Sequence, residues 1–122
     1  VGGKIDRIDE KKTGEIEIID YKTGEKLPTQ EQVNKDLQLT VYALAASQKH
    51  FLAKNPEWIT LSLLFLKQGK KISTKRTGEE LQKISQDLLK TVEEIETSEF
   101  LPKPNQSICN FCEYKLLCPA WQ

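Results

Sequence analysis

An aspartate and a lysine two residues apart, Asp20 and Lys22 in "EIEIIDYKTG", close a stretch that is otherwise apolar and strand-like. Residues two apart on a strand share a face, so Ile16, Ile18, Asp20 and Lys22 line one side while Ile19 and Tyr21 line the other. The apolar side therefore ends in charge. An extended segment pairing with this one from upstream would bring Asp6 near Asp20, gathering two carboxylates and one ammonium. Hard divalent cations such as magnesium take such oxygen-rich sites and keep waters in the remaining positions. A cation held there lowers the pKa of a bound water and offsets charge at a phosphate. The lysine adds a compact positive charge that can orient a water or stabilise a developing oxyanion. A plainer role also fits: an exposed ion pair at a strand end, worth well under about 1 kcal/mol. Residue chemistry alone leaves both open.

Cys109, Cys112 and Cys118, with Pro119 following, form a second constellation. In an intracellular chain such spacing favours metal over a disulfide. Three thiolates still leave a tetrahedral zinc or a four-iron cluster one ligand short.

These residues need elements to hold them. From Gly3 to Asp9 the pattern is short and extended; Asp9 to Glu15 is turn-like, with Gly14 free to take positive φ; residues 15–22 complete a hairpin. Thr29 and Gln32 form a capping box at the start of a helix of about five turns, whose core stripe is Val33, Leu37, Val41 and Leu44 and which ends before Pro56. "WITLSLLFL" at 58–66 predicts a strand buried on both faces, and "KQGKK" a turn leading to the edge strand "ISTKR". Thr77 and Glu80 open a second helix with the stripe Leu81, Ile84, Leu88, Val92 and Ile95. The order β-β-α-β-β-α, with a cysteine-bearing appendix, implies an α/β fold: a mixed sheet flanked by helices.

Eighteen basic residues balance eighteen acidic ones in 122, so any nucleic-acid contact must come from a local patch. One such stretch is "KQGKKISTKR" at 67–76, with five basic residues in ten; a solvated hairpin is its other description. The longest apolar run, "LSLLFL", is too short to cross a bilayer. The expectation is a soluble, cytoplasmic chain, and one that begins without Met as a piece of a larger polypeptide. His50 sits late in the first long helix and is expected at the surface.

"GKIDRID" at 3–9 followed by "IEIIDYKTG" at 16–24 resembles the PD-(D/E)xK nucleases, specifically the RecB-like branch that includes the nuclease domains of RecB and AddB. "QLTVY" at 38–42 matches that branch's Gln-x-x-x-Tyr motif, and the cysteine tail continues the likeness. The resemblance implies a restriction-endonuclease-like core over residues 1–100 with a cysteine-rich appendix at 101–122. It makes Asp6 and Asp20 the metal-binding carboxylates, Lys22 the catalytic lysine and the Tyr21 backbone carbonyl a further ligand. It also sets Gln38 and Tyr42 beside the site, steadying Lys22 or touching the DNA strand. Asp9 competes with Asp6 but falls on the opposite strand face. The implied reaction is Mg²⁺- or Mn²⁺-dependent hydrolysis of a DNA phosphodiester, in repair or recombination, with a helicase domain or subunit as the implied partner. The resemblance further implies a [4Fe-4S] cluster held by Cys109, Cys112 and Cys118 with a fourth cysteine outside this chain, where the family's additional upstream acidic residue or histidine would also lie. Without that upstream group the piece itself could be inactive. Two rivals remain: a catalytically inactive DNA-binding or scaffolding module that keeps the fold, and a zinc-binding interaction domain.

Overall fold

The computed structural model describes residues 2–121. Its chain divides into two compact units, Val1–Leu88 and Leu89–Gln122. The first is built on a four-stranded mixed sheet of order β1-β2-β3-β4, with β1 at Arg7–Glu10, β2 at Ile16–Lys22, β3 at Ile59–Phe65 and β4 at Lys70–Thr74. β1 and β2 form the expected antiparallel hairpin, β2 and β3 run parallel, and β3 and β4 close a second antiparallel hairpin. Gly14 (φ 89°) and Gly69 (φ 61°) turn the two hairpins, a left-handed conformation that glycine adopts without steric cost.

The parallel pair needs a crossover, and helices α1 (Gln30–Asn34) and α2 (Leu37–Ser47) supply it. Thr29 and Gln32 make the expected capping box: the Gln32 amide donates to Thr29 Oγ1 and the Thr29 amide to Gln32 Oε1. The helix then stops. Instead of one element of five turns there are two short ones, because Asp36 takes an extended backbone (φ −63°, ψ 121°) and accepts the Leu39 amide at 2.8 Å, capping α2 afresh.

That break changes which residues reach the core. Val33 is buried as expected, but Leu37 is 55% exposed and Val41 and Leu44 are only half-buried. Leu39, Ala43 and Ala46 are buried in their place, packed with Ile16, Ile18, Ile59, Leu61 and Leu63. The sheet's other face is polar at its centre. Ser62, fully buried, donates to Glu17 Oε1 at 2.6 Å and shares a hydrogen bond with Ser73, and Lys71 pairs with the same Glu17 oxygen at 2.9 Å. β3 is thus buried along its apolar face, whereas on the other only Ser62 is buried, through its hydrogen bonds, and Thr60 and Leu64 are half-buried, so the expected burial on both faces holds only in part.

Helix α3 (Gly78–Thr97) opens with the expected Thr77–Glu80 box. Its apolar stripe enters the core only at Leu81; Ile84 and Leu88 are half-buried, and Val92 and Ile95 are exposed. The stripe over-predicts burial in the half of the helix that belongs to the second unit. That unit ends in α4 (Gln106–Cys109) and two single 3₁₀ turns, Lys115–Leu117 and Pro119–Trp121. No helix among the described residues is long and apolar enough to cross a membrane.

Candidate active site

At the C-terminal end of β2 the period-two pattern has the predicted consequence. Ile16 and Ile18 are buried in the core, and Asp20, on the same face, is buried at 4% exposure. An aspartate this enclosed must have partners, and three side chains from two elements, β2 and α2, provide them. Lys22 Nζ pairs with Asp20 Oδ2 at 2.7 Å. From α2, Gln38 Nε2 donates to Asp20 Oδ1 at 3.2 Å and Tyr42 Oη lies 3.4 Å from the same oxygen.

Gln38 closes the ring: its Oε1 accepts from Lys22 Nζ at 2.9 Å while its Nε2 also donates to Tyr42 Oη at 2.8 Å. Only one orientation of the amide satisfies the ammonium and the carboxylate together. Tyr42 has a single proton to give, and its shorter contact, 2.8 Å, is to the Lys4 carbonyl. That bond ties the segment before β1 to α2. Gly3 lies in the same place, where an added Cβ would stand 3.8 Å from Tyr42 Cε1.

Asp6 is exposed, immediately before β1, and its Oδ2 accepts the Tyr21 amide at 3.0 Å. The register explains this contact. Arg7 pairs with Ile19, so one step further Asp6 faces the strand beside Asp20, where β1 has ended and Tyr21 has lost its backbone partner. Within a strand one residue's N–H and C=O leave on the same edge, so the Tyr21 carbonyl shares the edge to which Asp6 is bonded. Asp9 pairs with Glu17 and lies on the opposite face, bound to Arg7 at 2.7 Å.

The electrostatics follow from these contacts. The hydrogen bond to Asp20 raises the Lys22 pKa above the ordinary lysine value, outweighing the lowering by partial burial. Burial raises the Tyr42 hydroxyl, and the nearby Asp20 charge adds to this. At neutral pH the lysine is an ammonium and the tyrosine a neutral phenol.

Oxygen donors suitable for a divalent cation are present: the Asp6 and Asp20 carboxylates and the Tyr21 carbonyl. Among the described residues no three His, Cys, Asp or Glu side chains converge, so two carboxylates and a carbonyl fit a cation that keeps part of its water shell. The three cysteines are free thiols. A ladder of backbone bonds from Cys112 to Cys109, Lys115 to Cys112, Cys118 to Lys115 and Trp121 to Cys118 strings them along successive turns, and they do not meet in a ready-made centre.

A family model for the PD-(D/E)XK nuclease superfamily matches residues 1–119. The chain belongs to that superfamily. Its mixed sheet with flanking helices is accordingly the restriction-endonuclease-like α/β fold. No curated protein gives a significant match.

Sequence patterning missed two residues that shape the site. Asp36 caps α2, and the signal was available as an N-capping residue type inside a supposedly continuous helix. Arg76, counted in the basic stretch at 67–76, is buried at 4% exposure instead. Most of that stretch is engaged internally: Lys67 pairs with Glu25, Lys71 with Glu17, and Lys75 donates to the Glu57 carbonyl. His50 is exposed, as expected.

Proposed function

We propose that the chain is a nuclease module of the RecB/AddB type, hydrolysing DNA phosphodiesters with Mg²⁺ or Mn²⁺ in repair or recombination, with residues 1–100 as the core and 101–122 as its cysteine-rich appendix. The observation that carries this is the closed ring of Asp20, Lys22 and Gln38 at a strand end, with Asp6 bonded across that end. An exposed i, i+2 ion pair would not be buried at Asp20 or held by a third side chain from another element.

A divalent cation on Asp6, Asp20 and the Tyr21 carbonyl would supply an activated water and offset phosphate charge. The chain's own residues do the rest. An ammonium has three donors; Lys22 commits two, to Asp20 and Gln38, and keeps one for the attacking water or a phosphate oxygen. Its side chain is 35% exposed, so that proton faces an accessible site. Gln38 fixes the ammonium in direction, and its bond to Asp20 keeps the carboxylate in register with it. Tyr42 holds Lys4, and through the chain Asp6, at the strand end.

Thiolates are the right donors for an iron–sulphur cluster, but three that do not converge do not form one here, and no step of the chemistry is assigned to them. A cluster completed from outside this chain and a helicase partner belong to the RecB/AddB reading as a whole. Metal analysis of the purified protein decides the first: iron with acid-labile sulphide supports it, and zinc turns the reading toward an interaction domain.

Calorimetric titration with Mg²⁺ tests the core of the proposal. Binding by the wild type that disappears in Asp20→Asn is the expected result. Equal binding by the two would leave the strand-end site without a cation and favour an inactive scaffold.

A further inference from the structure

We propose that Arg76 is a positioning residue for the active site: it holds the break between α1 and α2 and so sets the rotation of α2 that turns Gln38 and Tyr42 toward Asp20. The catalytic consequence rests on the nuclease reading; the coupling from Arg76 to Gln38 stands on geometry alone.

All five donors of the guanidinium are used. Nη2 donates to the carbonyls of Val33 at 3.1 Å and Asp36 at 3.2 Å, Nε to Thr40 Oγ1 at 2.8 Å, and Nη1 to Thr74 Oγ1 and the Lys75 carbonyl, both at 3.0 Å. The Val33 and Asp36 carbonyls flank the interruption, and a helix end buried without partners is costly. Arg76 supplies those partners from the segment after β4. Thr40 adds a second link, donating to the Asp36 carbonyl at 2.7 Å while accepting from Arg76.

The break has a directional effect. A helix advances about 100° per residue. Continued unbroken from Val33, it would turn Leu37, Val41 and Leu44 inward; the observed inward stripe is Leu39, Ala43 and Ala46, with Tyr42 and Thr40 buried on either side of it. Each position is displaced by two residues, a rotation of about 200°. Gln38 and Tyr42 thereby move to the other flank of α2, the flank facing Asp20 and Lys22. Burial lowers the Arg76 pKa, but guanidinium remains charged at any working pH, so the contact does not switch off.

The test compares Arg76→Met, Thr40→Val and Thr40→Ser with the wild type by two readouts. One is the NMR signal of the Gln38 side-chain amide, assigned by its loss in Gln38→Leu, with the Ile18 and Leu61 backbone amides reporting an intact core. The other is kcat and KM on linear duplex DNA with Mg²⁺. Arg76→Met is expected to move the Gln38 signal toward that of an unbonded amide and to lower kcat about tenfold or more with KM unchanged, as loss of a residue supporting an active-site group does. Thr40→Val is expected to do the same to a lesser degree, and Thr40→Ser, which keeps the hydroxyl, to restore both. A folded Arg76→Met with wild-type Gln38 signal and kcat overturns the proposal; if that variant does not fold, the same result in Thr40→Val overturns it. A Gln38 signal that moves in a protein whose wild type cuts no DNA upholds the positioning independently of the nuclease reading, which the Mg²⁺ titration of the wild type and Asp20→Asn decides.

Discussion

At Lys22 a single ammonium serves a carboxylate and an amide, two of its three donors. Its raised pKa has a testable sign. A group protonated more firmly in the folded state contributes stability that is fully present below its unfolded pKa, about 10.4 for lysine, and is lost as pH rises through the folded value. Alkaline melting curves should therefore show the wild type losing its advantage over Lys22→Met above about pH 10, and no alkaline fall in cleavage rate below that pH should trace to this lysine. Tyr42 supports a separate prediction. Removing its hydroxyl strips the Lys4 carbonyl of a partner and leaves one Gln38 donor unmet, so Tyr42→Phe should lower stability by about 1–3 kcal/mol, read by chemical denaturation, and weaken Mg²⁺ binding through the freed Asp6 segment.

Among the elements, β2 carries the site on one face and a half-buried carboxylate, Glu17, on the other. For Glu17, burial alone would raise the carboxyl pKa, but hydrogen bonds from Ser62 and Lys71 together outweigh it and hold the pKa below the usual range. A depressed carboxylate contributes stability present above its unfolded pKa, about 4.3, and lost as pH falls through the folded value. Glu17→Gln should thus be destabilised by about 1–3 kcal/mol at pH 7, and the gap should close in acid; a gap independent of pH would contradict this account of Glu17. The element scale also separates what could be read in advance from what could not. Asp20, Lys22 and the hairpin partner Asp6 were legible because period two and a short turn are local rules. The capping boxes at Thr29 and Thr77 were legible for the same reason. The single long helix was an error because Leu37, Val41 and Leu44 keep a plausible period, while the group that sustains the break, Arg76, lies about forty residues away in sequence at the end of a lysine-rich hairpin. Nothing local distinguishes an arginine bonded to two helix-end carbonyls from one in solvent.

For the molecule as a whole, one apolar face of a small sheet supports everything at the strand end. Ile18 and Leu61 are fully buried at its centre, and truncating either to alanine should cost about 2–5 kcal/mol, visible as an early denaturation midpoint and, since the same face aligns Asp20, as weaker cation binding. The family match over residues 1–119 puts the chain in the PD-(D/E)XK nuclease superfamily, and the ring at Asp20 is where the proposed hydrolysis would take place. The most direct measurement is cleavage of linear single- and double-stranded DNA with Mg²⁺ or Mn²⁺, run beside Lys22→Ala. Degradation by the wild type, stopped by chelation and reduced about 100-fold or more in a folded Lys22→Ala, is the predicted result. Metal-dependent cleavage that proceeds equally well without the Lys22 ammonium would contradict the account.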